Sequence, residues 1–541
     1  MVTGAAVRRG WALIFAVTVL AYLPTLRNGF VWDDDTFLTD NRLIKAPDGL
    51  QRFWLTTEPP DYWPVTSTTL WLEWRLWGLH PAGYHLTNLL LHAAEACLLW
   101  SILRHLRLPG ALLAALLFAV HPVNVESVAW IAQRKNLMAM LFFLLAVEGF
   151  LRTRWWREQD RKGAAREPAY WLSLAAFVLA MLSKGSAAML PLVLLGLIAW
   201  RRRPTRGDGV RLLPFFLVAA GLAAVNVWFA AHAAKGVVRS AGFEERLVGS
   251  GAVVWFYLGK ALWPARLIFV YPQWPIDPHR LVWWLPGLAV LAVSAGLWLW
   301  VRPRALAFAW AYFVVMLVPV MGFTDVYFMK YSLVADHYQH LAIIGVIAAA
   351  AAGLAAVARG WARPAAWVLG GVLVGSLGAL TWRQCLMYRD SETLYRAILA
   401  ENPNAWMAHN NLVNILVGTN RLPEAVGELR EALRLQPEAE NENNLGVALV
   451  RLGHPIEAVP HYQAAVRLQP GQPEFLYNLG LALSQTGQTE AALGPLTEVV
   501  RRLPQFPGGH FALAAALRQS GRSDAAEAER ATALRLQAGA R

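Results

Sequence analysis

Long apolar runs separated by short basic loops constrain this chain more than any other feature. A helix of about 20 mostly apolar residues spans the hydrocarbon core of a bilayer, and in lipid the backbone has to satisfy its own hydrogen bonds. Only 16% of the residues are charged, against about 25% in ordinary soluble proteins. We therefore predict an all-α fold with about eleven membrane spans. The predicted spans are 11–27, 84–104, 110–122, 136–151, 169–184, 186–200, 212–232, 283–301, 305–321, 337–357 and 364–381.

The arginine-rich loops predict the orientation of these spans. Cytoplasmic loops of membrane proteins carry an excess of Lys and Arg, and the abundance of Arg and Ala points to a bacterial source. We predict a multi-pass protein of the bacterial inner membrane, with a cytoplasmic N-terminus and a periplasmic C-terminal domain. The apolar stretch 251–263 is too short to span, so we predict a re-entrant or surface helix there. The loops predicted to be cytoplasmic are 152–166, 201–211, 302–304 and 359–363.

Two loops on the predicted outer side, 28–83 and 233–282, are much longer than the others. Long loops within a compact protein are usually functional or disordered. Both are rich in aromatic residues and Pro, which favours packing on the membrane surface. Arg239 is one of several basic residues in the second loop, with Lys235, Arg246, Lys260 and Arg266.

The net charge of +13 does not indicate a nucleic-acid partner. The excess of basic residues lies mostly in short loops between apolar spans, where it sets orientation. The two cysteines, Cys97 and Cys385, exclude a disulfide scaffold, since Cys97 lies within a predicted span.

A repeat of about 34 residues begins near residue 390. Each unit has a Leu on its first helix, small residues on its second helix and a Pro at its end. This helix–turn–helix pattern is typical of tetratricopeptide repeats, whose stacked units form a concave surface that binds peptides or proteins. We predict a membrane domain at 1–385 and a repeat domain, an α-solenoid, at 386–541. The marker prolines are Pro403, Pro437, Pro470 and Pro504.

Three adjacent carboxylates, Asp33, Asp34 and Asp35, follow the first predicted span. Like charges side by side repel one another, and folding alone does not require them. A carboxylate at the membrane edge is well placed to take a proton from a hydroxyl while a lipid-carried substrate sits in the bilayer. Two other interpretations stay open: an N-cap for a helix starting near Thr36, and a site for a divalent metal held by Asp33 and Asp34.

Other polar residues cluster at the same predicted membrane face. His121 and Glu126 lie in a short segment that ends the third predicted span, and Arg134 follows them. A Pro-capped helix end with Glu126 paired to Arg134 is the structural alternative for this segment. Lys184 at the outer end of the fifth span indicates an anionic partner such as a lipid phosphate, with simple snorkelling as the alternative.

The segment Asp336-His337-Tyr338-Gln339-His340 opens the tenth predicted span from the outside. Two histidines at this spacing are weak evidence for a metal site. A group of polar and basic side chains that binds a phosphate is the favoured interpretation.

Together these motifs resemble those of the transmembrane and tetratricopeptide-repeat protein O-mannosyltransferases. The shared features are an acidic pair after the first span, His-Pro-x-x-x-Glu-Ser-Val at 121–128, Ser-Lys at 183–184, Asp-x-Tyr at 336–338, and the C-terminal repeats. This family is placed in the GT-C superfamily of glycosyltransferases, which use polyprenyl-phosphate sugars. The resemblance covers essentially the whole chain.

The resemblance implies a function and a set of site residues. It implies inverting transfer of a mannose-like hexose from a polyprenyl-phosphate donor to a protein or glycan hydroxyl, with the repeats holding the acceptor or a partner protein. The catalytic acidic pair corresponds to Asp33 and Asp34, and no cofactor is implied with certainty. The expected donor-phosphate contacts are Lys184, Arg134, His337 and Tyr338, and the supporting residues are Asp35, His121, Glu126, Asp336 and Arg239.

The chain departs from the family pattern at two positions. It has Lys184-Gly185 where relatives often have Lys-Glu, and Asp336-His337-Tyr338-Gln339-His340 where they usually have Glu-Arg-Tyr-Leu-Tyr. His337 stands at the position of that Arg, and it can contact a phosphate only while protonated or as a neutral hydrogen-bond donor.

Two functions of other classes remain as alternatives. A non-catalytic scaffold would use the repeats to recruit an envelope complex, but eleven spans exceed what an anchor needs. A transporter would carry its charged groups near the bilayer midplane, whereas most of those in this chain lie at predicted membrane edges.

Overall fold

The computed structural model describes residues 4–157, 167–232, 238–301, 304–360 and 363–539, and these residues form helices without any β-strand. Parts of the basic loops that predicted the orientation, and Lys235 of the second outer loop, lie outside the described residues. The chain divides into two compact units, Met1–Leu394 and Tyr395–Arg541. The boundary falls within the helix Ser391–Glu401 rather than at the predicted residue 385.

The first unit is a bundle of α-helices connected by short 3-10 segments. Its helices are α1 (Gly4–Tyr22), α2 (Arg42–Lys45), α3 (Gly49–Leu55), α4 (Pro64–Trp77), α5 (Pro81–His105), α6 (Ala111–Ala119), α7 (Val125–Ala129), α8 (Arg134–Arg152), α9 (Arg154–Arg157), α10 (Pro168–Ser183), α11 (Leu190–Arg201), α12 (Arg206–His232), α13 (Phe243–Leu262), α14 (Leu285–Trp300), α15 (Ala305–Leu317), α16 (Ile343–Val357) and α17 (Arg363–Cys385). The helix that contains the unit boundary is α18 (Ser391–Glu401).

Helices α5 and α8 form the centre of this bundle. Helix α8 packs against α5 and α10, while α5 also contacts α1 and α6. Both central helices are largely buried, whereas none of the residues of α14 is buried. An apolar helix exposed on all sides needs lipid around it, because exposed apolar patches of that size do not persist in water.

The predicted membrane-domain fold is confirmed, but the count of eleven spans is not. Among the described residues, six helices are long and apolar enough to cross a membrane, and α6 with the bent continuation Pro122–Ala129 makes a seventh. Three further apolar helices are shorter: Pro168–Ser183, Gly185–Arg201 and Ala305–Val320. The stretch predicted as a short surface helix is the end of α13, which begins with charged residues at Glu244 and Glu245.

The second unit consists of paired antiparallel helices and confirms the predicted tetratricopeptide repeats. Its helices are α19 (Trp406–Gly418), α20 (Leu422–Leu435), α21 (Ala439–Arg451), α22 (Pro455–Leu468), α23 (Pro473–Gln485), α24 (Thr489–Arg502), α25 (Pro507–Gln519) and α26 (Ser523–Gly539). Successive pairs share one core, in which Ala458 and Ala492 are fully buried. Small residues at these positions allow the close helix crossing of the repeat, so each unit depends on its neighbours for burial.

Candidate active site

The acidic cluster lies on a tightly held loop after α1. Trp32 has a φ of 54°, a left-handed conformation that is costly for a bulky residue. Its ring packs against Phe269, with centroids 5.2 Å apart, and against Tyr331 at 5.5 Å. Strained backbone of this kind persists only where the surrounding packing holds it, and it concentrates at functional sites. The strain fixes the direction of the next residue, Asp33.

Asp33 has a carboxyl group without a complete set of hydrogen bonds. Its Oδ1 is buried and has no well-formed hydrogen bond, and the same is true of the nearby indole N–H of Trp130. Burial raises the pKa of Asp33 to about 6, and the positive charge of Lys135 partly opposes that effect. A carboxylate with a pKa close to neutrality can accept and release a proton efficiently.

Asp34 has a different environment from its neighbour. It is fully buried, and its Oδ2 accepts the N–H of Val31 at 2.9 Å while its Oδ1 accepts the N–H of Ala132 at 2.7 Å. Burial raises its pKa, and these two backbone hydrogen bonds oppose the change. Asp34 makes no N-cap hydrogen bond. Its observed role is to fasten the loop to the segment before α8.

Asp35 is exposed, and its Oδ1 accepts hydrogen bonds from the N–H and hydroxyl of Thr36. The three adjacent carboxylates therefore differ in what they contact. Asp33 has an incompletely bonded oxygen, Asp34 is bonded to the backbone, and Asp35 forms a local turn.

Arg134 lies in a buried network away from Lys184 and His337. Its guanidinium contacts Glu73 at 2.8 Å, the carbonyl of Tyr84 at 2.9 Å and the side chain of Asn88. The structural alternative that paired it with Glu126 is not observed. These buried contacts connect α4, α5 and α8, so the structure places Arg134 in a packing environment.

Lys135, the next residue, was not singled out by the sequence. It is 8% exposed, and its ammonium lies 4.5 Å from the ring centroid of Trp63 and 4.7 Å from that of Phe37. It also acts on the pKa of both Asp33 and Lys184. Adjacent residues on a helix point about 100° apart. For this reason Arg134 points into the bundle while Lys135 points to the acidic loop.

Asn136 is the second functional residue that sequence reasoning missed. Its Oδ1 accepts a hydrogen bond from Nζ of Lys184 at 2.5 Å, and its Nδ2 donates to the carbonyl of His337 at 3.1 Å. Burial lowers the pKa of Lys184, the charge of Lys135 lowers it further, and Glu126 opposes both. Asn136 thus joins two predicted site elements that are far apart in sequence. The sequence feature that could have indicated Asn136 is its position directly after Arg134 and Lys135.

His337 and Tyr338 lie beside this group. The backbone N–H of His337 donates to Oε2 of Glu126 at 2.8 Å, and its Nδ1 lies 2.9 Å from Oε1 of the same residue. Burial lowers the pKa of His337, as do Lys184 and Lys135, which favours the neutral ring. The hydroxyl of Tyr338 is buried without a hydrogen-bond partner, and its ring lies 6.0 Å from the ammonium of Lys184.

Three supporting residues hold segments around the site. Asp336 accepts a hydrogen bond from the hydroxyl of Tyr271 at 2.9 Å, and burial raises its pKa to about 7. His121 lies with its Nε2 3.1 Å from the carbonyl oxygen of Ala261. Arg239 donates to the carbonyl of Gly322 at 2.8 Å. None of these three contacts places another carboxylate next to Asp33.

A depression on the first outer loop opens next to the acidic segment. Its empty volume is about 420 Å³ including the open mouth. It is lined by apolar and aromatic residues, with Asp61 and Lys135 as its charged groups. Ala132 lines it and also donates to Asp34, so the depression borders the segment that holds the acidic loop.

Comparisons with known proteins support both parts of the chain. The family model described as "Tetratricopeptide repeat" matches residues 388–440 and 443–507. Human "Protein O-mannosyl-transferase TMTC4" is 30% identical over 208 residues, which are 33% of this chain and 27% of the relative. "Protein O-mannosyl-transferase F38B6.6" of Caenorhabditis elegans is 24% identical over 456 residues, 80% of this chain and 63% of the relative.

The Drosophila melanogaster relative "Protein O-mannosyl-transferase Tmtc1" is 33% identical over 156 residues, 26% of this chain and 18% of the relative. The aligned part thus covers about a quarter of the human protein, and more of the worm protein. The predicted resemblance to the transmembrane and tetratricopeptide-repeat protein O-mannosyltransferases is confirmed by these relatives.

Proposed function

We propose that this chain is a membrane glycosyltransferase that moves a mannose-like hexose from a polyprenyl-phosphate donor to a hydroxyl of a protein or glycan. The observation that carries the proposal is Asp33, a half-buried residue on a strained loop near Lys135, whose Oδ1 is buried without a well-formed hydrogen bond. The names of the relatives support the class of reaction.

The acceptor side of the reaction is built around Asp33. The acceptor hydroxyl gives its proton to the Asp33 carboxylate as its oxygen forms a bond to the anomeric carbon of the sugar. Asp34 holds the loop by its two backbone hydrogen bonds and takes no proton in this scheme. A depression lined by Trp63, Phe37 and Lys135 offers the acceptor an entrance.

On the donor side, two lysines stabilise the leaving group. The bond between the anomeric carbon and the phosphate oxygen breaks, and the polyprenyl phosphate leaves with the electron pair, which gives inversion. Lys184 and Lys135 face the growing negative charge, and fixed charges of this kind lower such barriers. The phosphate raises the pKa of both ammonium groups, so it favours their charged form. Tyr338 contributes its unpartnered hydroxyl.

We further propose that the chain lies in the bacterial inner membrane with its N-terminus in the cytoplasm. Under this arrangement the acidic loop and the repeats face the periplasm, where the repeats bind the acceptor polypeptide. A reporter active only in the periplasm should be active after Arg541 and inactive in the loop at Arg203. The opposite pattern contradicts this topology.

Transfer itself is the decisive measurement. The full chain in nanodiscs, given polyprenyl-phosphate mannose and periplasmic acceptor proteins, should produce mannosylated protein. Comparison with Asp33→Asn separates enzymatic transfer from background. A protein that binds periplasmic partners through its repeats but transfers none of several donor hexoses would instead be a membrane-anchored scaffold.

A further inference from the structure

A second polar cluster lies inside the bundle and includes no residue of the proposed transfer reaction. It consists of His92 and Glu95, one turn apart on α5, and His340, which follows the 3-10 turn Asp336–Gln339. Nδ1 of His92 and Nε2 of His340 lie 3.2 and 3.3 Å from the same oxygen, Oε2 of Glu95. All three side chains are almost completely buried. Ionisable groups inside a membrane bundle are rare and usually functional.

The ring of His92 has a defined tautomer. Its Nε2 lies 3.1 Å from the carbonyl oxygen of Ala119, and a carbonyl oxygen only accepts hydrogen bonds. Nε2 therefore carries the hydrogen in the neutral ring. The other nitrogen, Nδ1, presents its lone pair to Glu95.

His340 is fixed in the same way by Asn124. The amide nitrogen of Asn124 donates to the carbonyl of Phe118 at 2.9 Å, so its Oδ1 faces His340 as an acceptor. Since Nδ1 of His340 lies 2.9 Å from that oxygen, Nδ1 carries the hydrogen. Nε2 of His340 then presents a lone pair to Oε2 of Glu95.

Three electron-pair donors thus converge at one point: two imidazole lone pairs and a carboxylate oxygen. One proton can bridge only one of the two His–Glu contacts, which leaves the other pair of acceptors facing each other. The remaining oxygen of Glu95, Oε1, is buried without a hydrogen-bond partner, as is the hydroxyl of Tyr22, whose ring lies edge-on to His92. A cation placed where the two lone pairs and the carboxylate oxygen meet would bind all three of these groups.

We propose that His92, Glu95 and His340 bind a Zn²⁺ ion that positions the candidate active site. Two His and one Glu form a known zinc ligand set, and bonds of 2.0–2.1 Å in a tetrahedron put ligand atoms about 3.3 Å apart. The observed 3.2 and 3.3 Å separations match that spacing. The Ala119 carbonyl and Asn124 orient the rings, as outer partners of metal-bound histidines do.

The ion would link α5 to the turn that carries His337 and Tyr338. These residues lie three and two positions before His340, so fixing His340 limits the movement of the predicted donor-phosphate contacts. This part of the inference rests on the proposed function. Metal binding itself does not, so the two can fail separately.

Metal content is the direct test. The full chain, purified through a tag without histidines, is loaded with Zn²⁺, passed over a chelating resin and analysed by elemental mass spectrometry. We expect about one Zn²⁺ per chain, and Co²⁺ loading should give the absorption of a tetrahedral site. Glu95→Gln and His340→Gln should lose the ion, while Asn124→Ala should weaken binding by about 10- to 100-fold.

His85→Gln is the matched control, because His85 is also buried on α5 but contacts the carbonyl of Gly29. This variant should keep its Zn²⁺. Absence of metal from the loaded chain, or equal loss in the control, overturns the proposal. If the ligand variants fail to fold, the Co²⁺ spectrum of the unchanged chain decides, since an adventitious ion only would give no tetrahedral bands. Zinc binding without any sugar transfer would support the site while contradicting the proposed function.

Discussion

Asp34 accepts the backbone N–H of Ala132 at 2.7 Å, across 98 positions of the chain. This buried hydrogen bond joins the acidic loop after α1 to the segment that starts α8. Asp33 directly precedes Asp34, and Lys135 follows Ala132 by three residues. The hydrogen bond therefore brings the carboxyl group of Asp33 and the ammonium group of Lys135 into the same region.

Asp33→Asn should remove the proposed general base while preserving the shape of the side chain. Loss of a positioned base costs about 10²–10⁴ in rate, and donor affinity should change little because the acid faces the acceptor. Asp35→Asn is the matched control, since Asp35 is exposed, and its effect should be mild. Transfer from a polyprenyl-phosphate sugar in nanodiscs measures both variants. Near-normal turnover of Asp33→Asn contradicts the acid–base role.

The pH dependence should follow the raised pKa of Asp33, about 6. Below that pH the base is protonated, so kcat/KM should fall about tenfold per pH unit and level off above pH 6.

The raised pKa of Asp33 also affects the stability of the folded protein. Because the pKa of Asp33 in the folded protein lies above the ordinary Asp value of about 3.9, the contribution of Asp33 to folding is present at low pH and is lost as pH rises through about 6. Asp33→Asn should therefore gain stability relative to the unchanged chain above pH 6, and an equal gain at pH 3 contradicts this assignment.

Asp34→Asn should reduce stability, unlike Asp33→Asn. The amide nitrogen of Asn would face one of the two backbone donors, Val31 or Ala132. A buried donor left unsatisfied costs about 1–3 kcal/mol. Urea unfolding of both variants in detergent, alongside turnover, distinguishes the roles. A full loss of rate in Asp34→Asn without any loss of stability would assign the chemistry to Asp34.

Arg134 and Lys135 should respond differently to loss of charge. Arg134→Met leaves Glu73 buried without its partner, and breaking a buried ion pair costs about 3–5 kcal/mol. Lys135→Met should fold normally but lose about 10- to 150-fold in kcat/KM, the equivalent of 1.5–3 kcal/mol for a charged hydrogen bond. Thermal unfolding and donor titration separate the two effects. A folded Arg134→Met that cannot bind the donor would restore the phosphate role predicted from the sequence.

Truncation should depend on where the chain is cut. The carbonyl of Arg389 accepts the N–H of Gly29 at 2.8 Å, and that of Cys385 accepts a hydrogen bond from Asn28. A cut after Trp382 removes these contacts to the loop that leads to Asp33, so it should impair transfer to any acceptor. A cut after Glu401 keeps them, and should retain transfer to a short peptide while losing it on a natural protein acceptor. Full activity on the natural acceptor after the second cut would mean that the repeats do not bind it.

The helices and repeats of this chain were predictable from sequence because they depend on local periodicity. Apolar runs of sufficient length specify helices in lipid, and each predicted span contains a helix or the greater part of one. The prolines and small residues of the repeat recur at a fixed period, so the second unit needs no tertiary information. The count of eleven spans was not confirmed, since α6 is bent by 48° from its continuation and the apolar helices Pro168–Ser183 and Gly185–Arg201 are shorter than a full span.

The roles of individual polar residues were decided only by the tertiary structure. Sequence proximity grouped the three adjacent carboxylates, yet only Asp33 has a buried oxygen without a well-formed hydrogen bond. The two oxygens of Asp34 are occupied by the N–H of Ala132, 98 positions away, and by the N–H of Val31 in its own loop. The sequence identified Arg134, but a rotation of about 100° between neighbours directs Lys135 to the acidic loop instead. His92 and Glu95 gave no local signal, since their partner His340 is about 245 positions away. Spacing along the chain determines helices, whereas the sites depend on contacts between distant residues that only folding brings together.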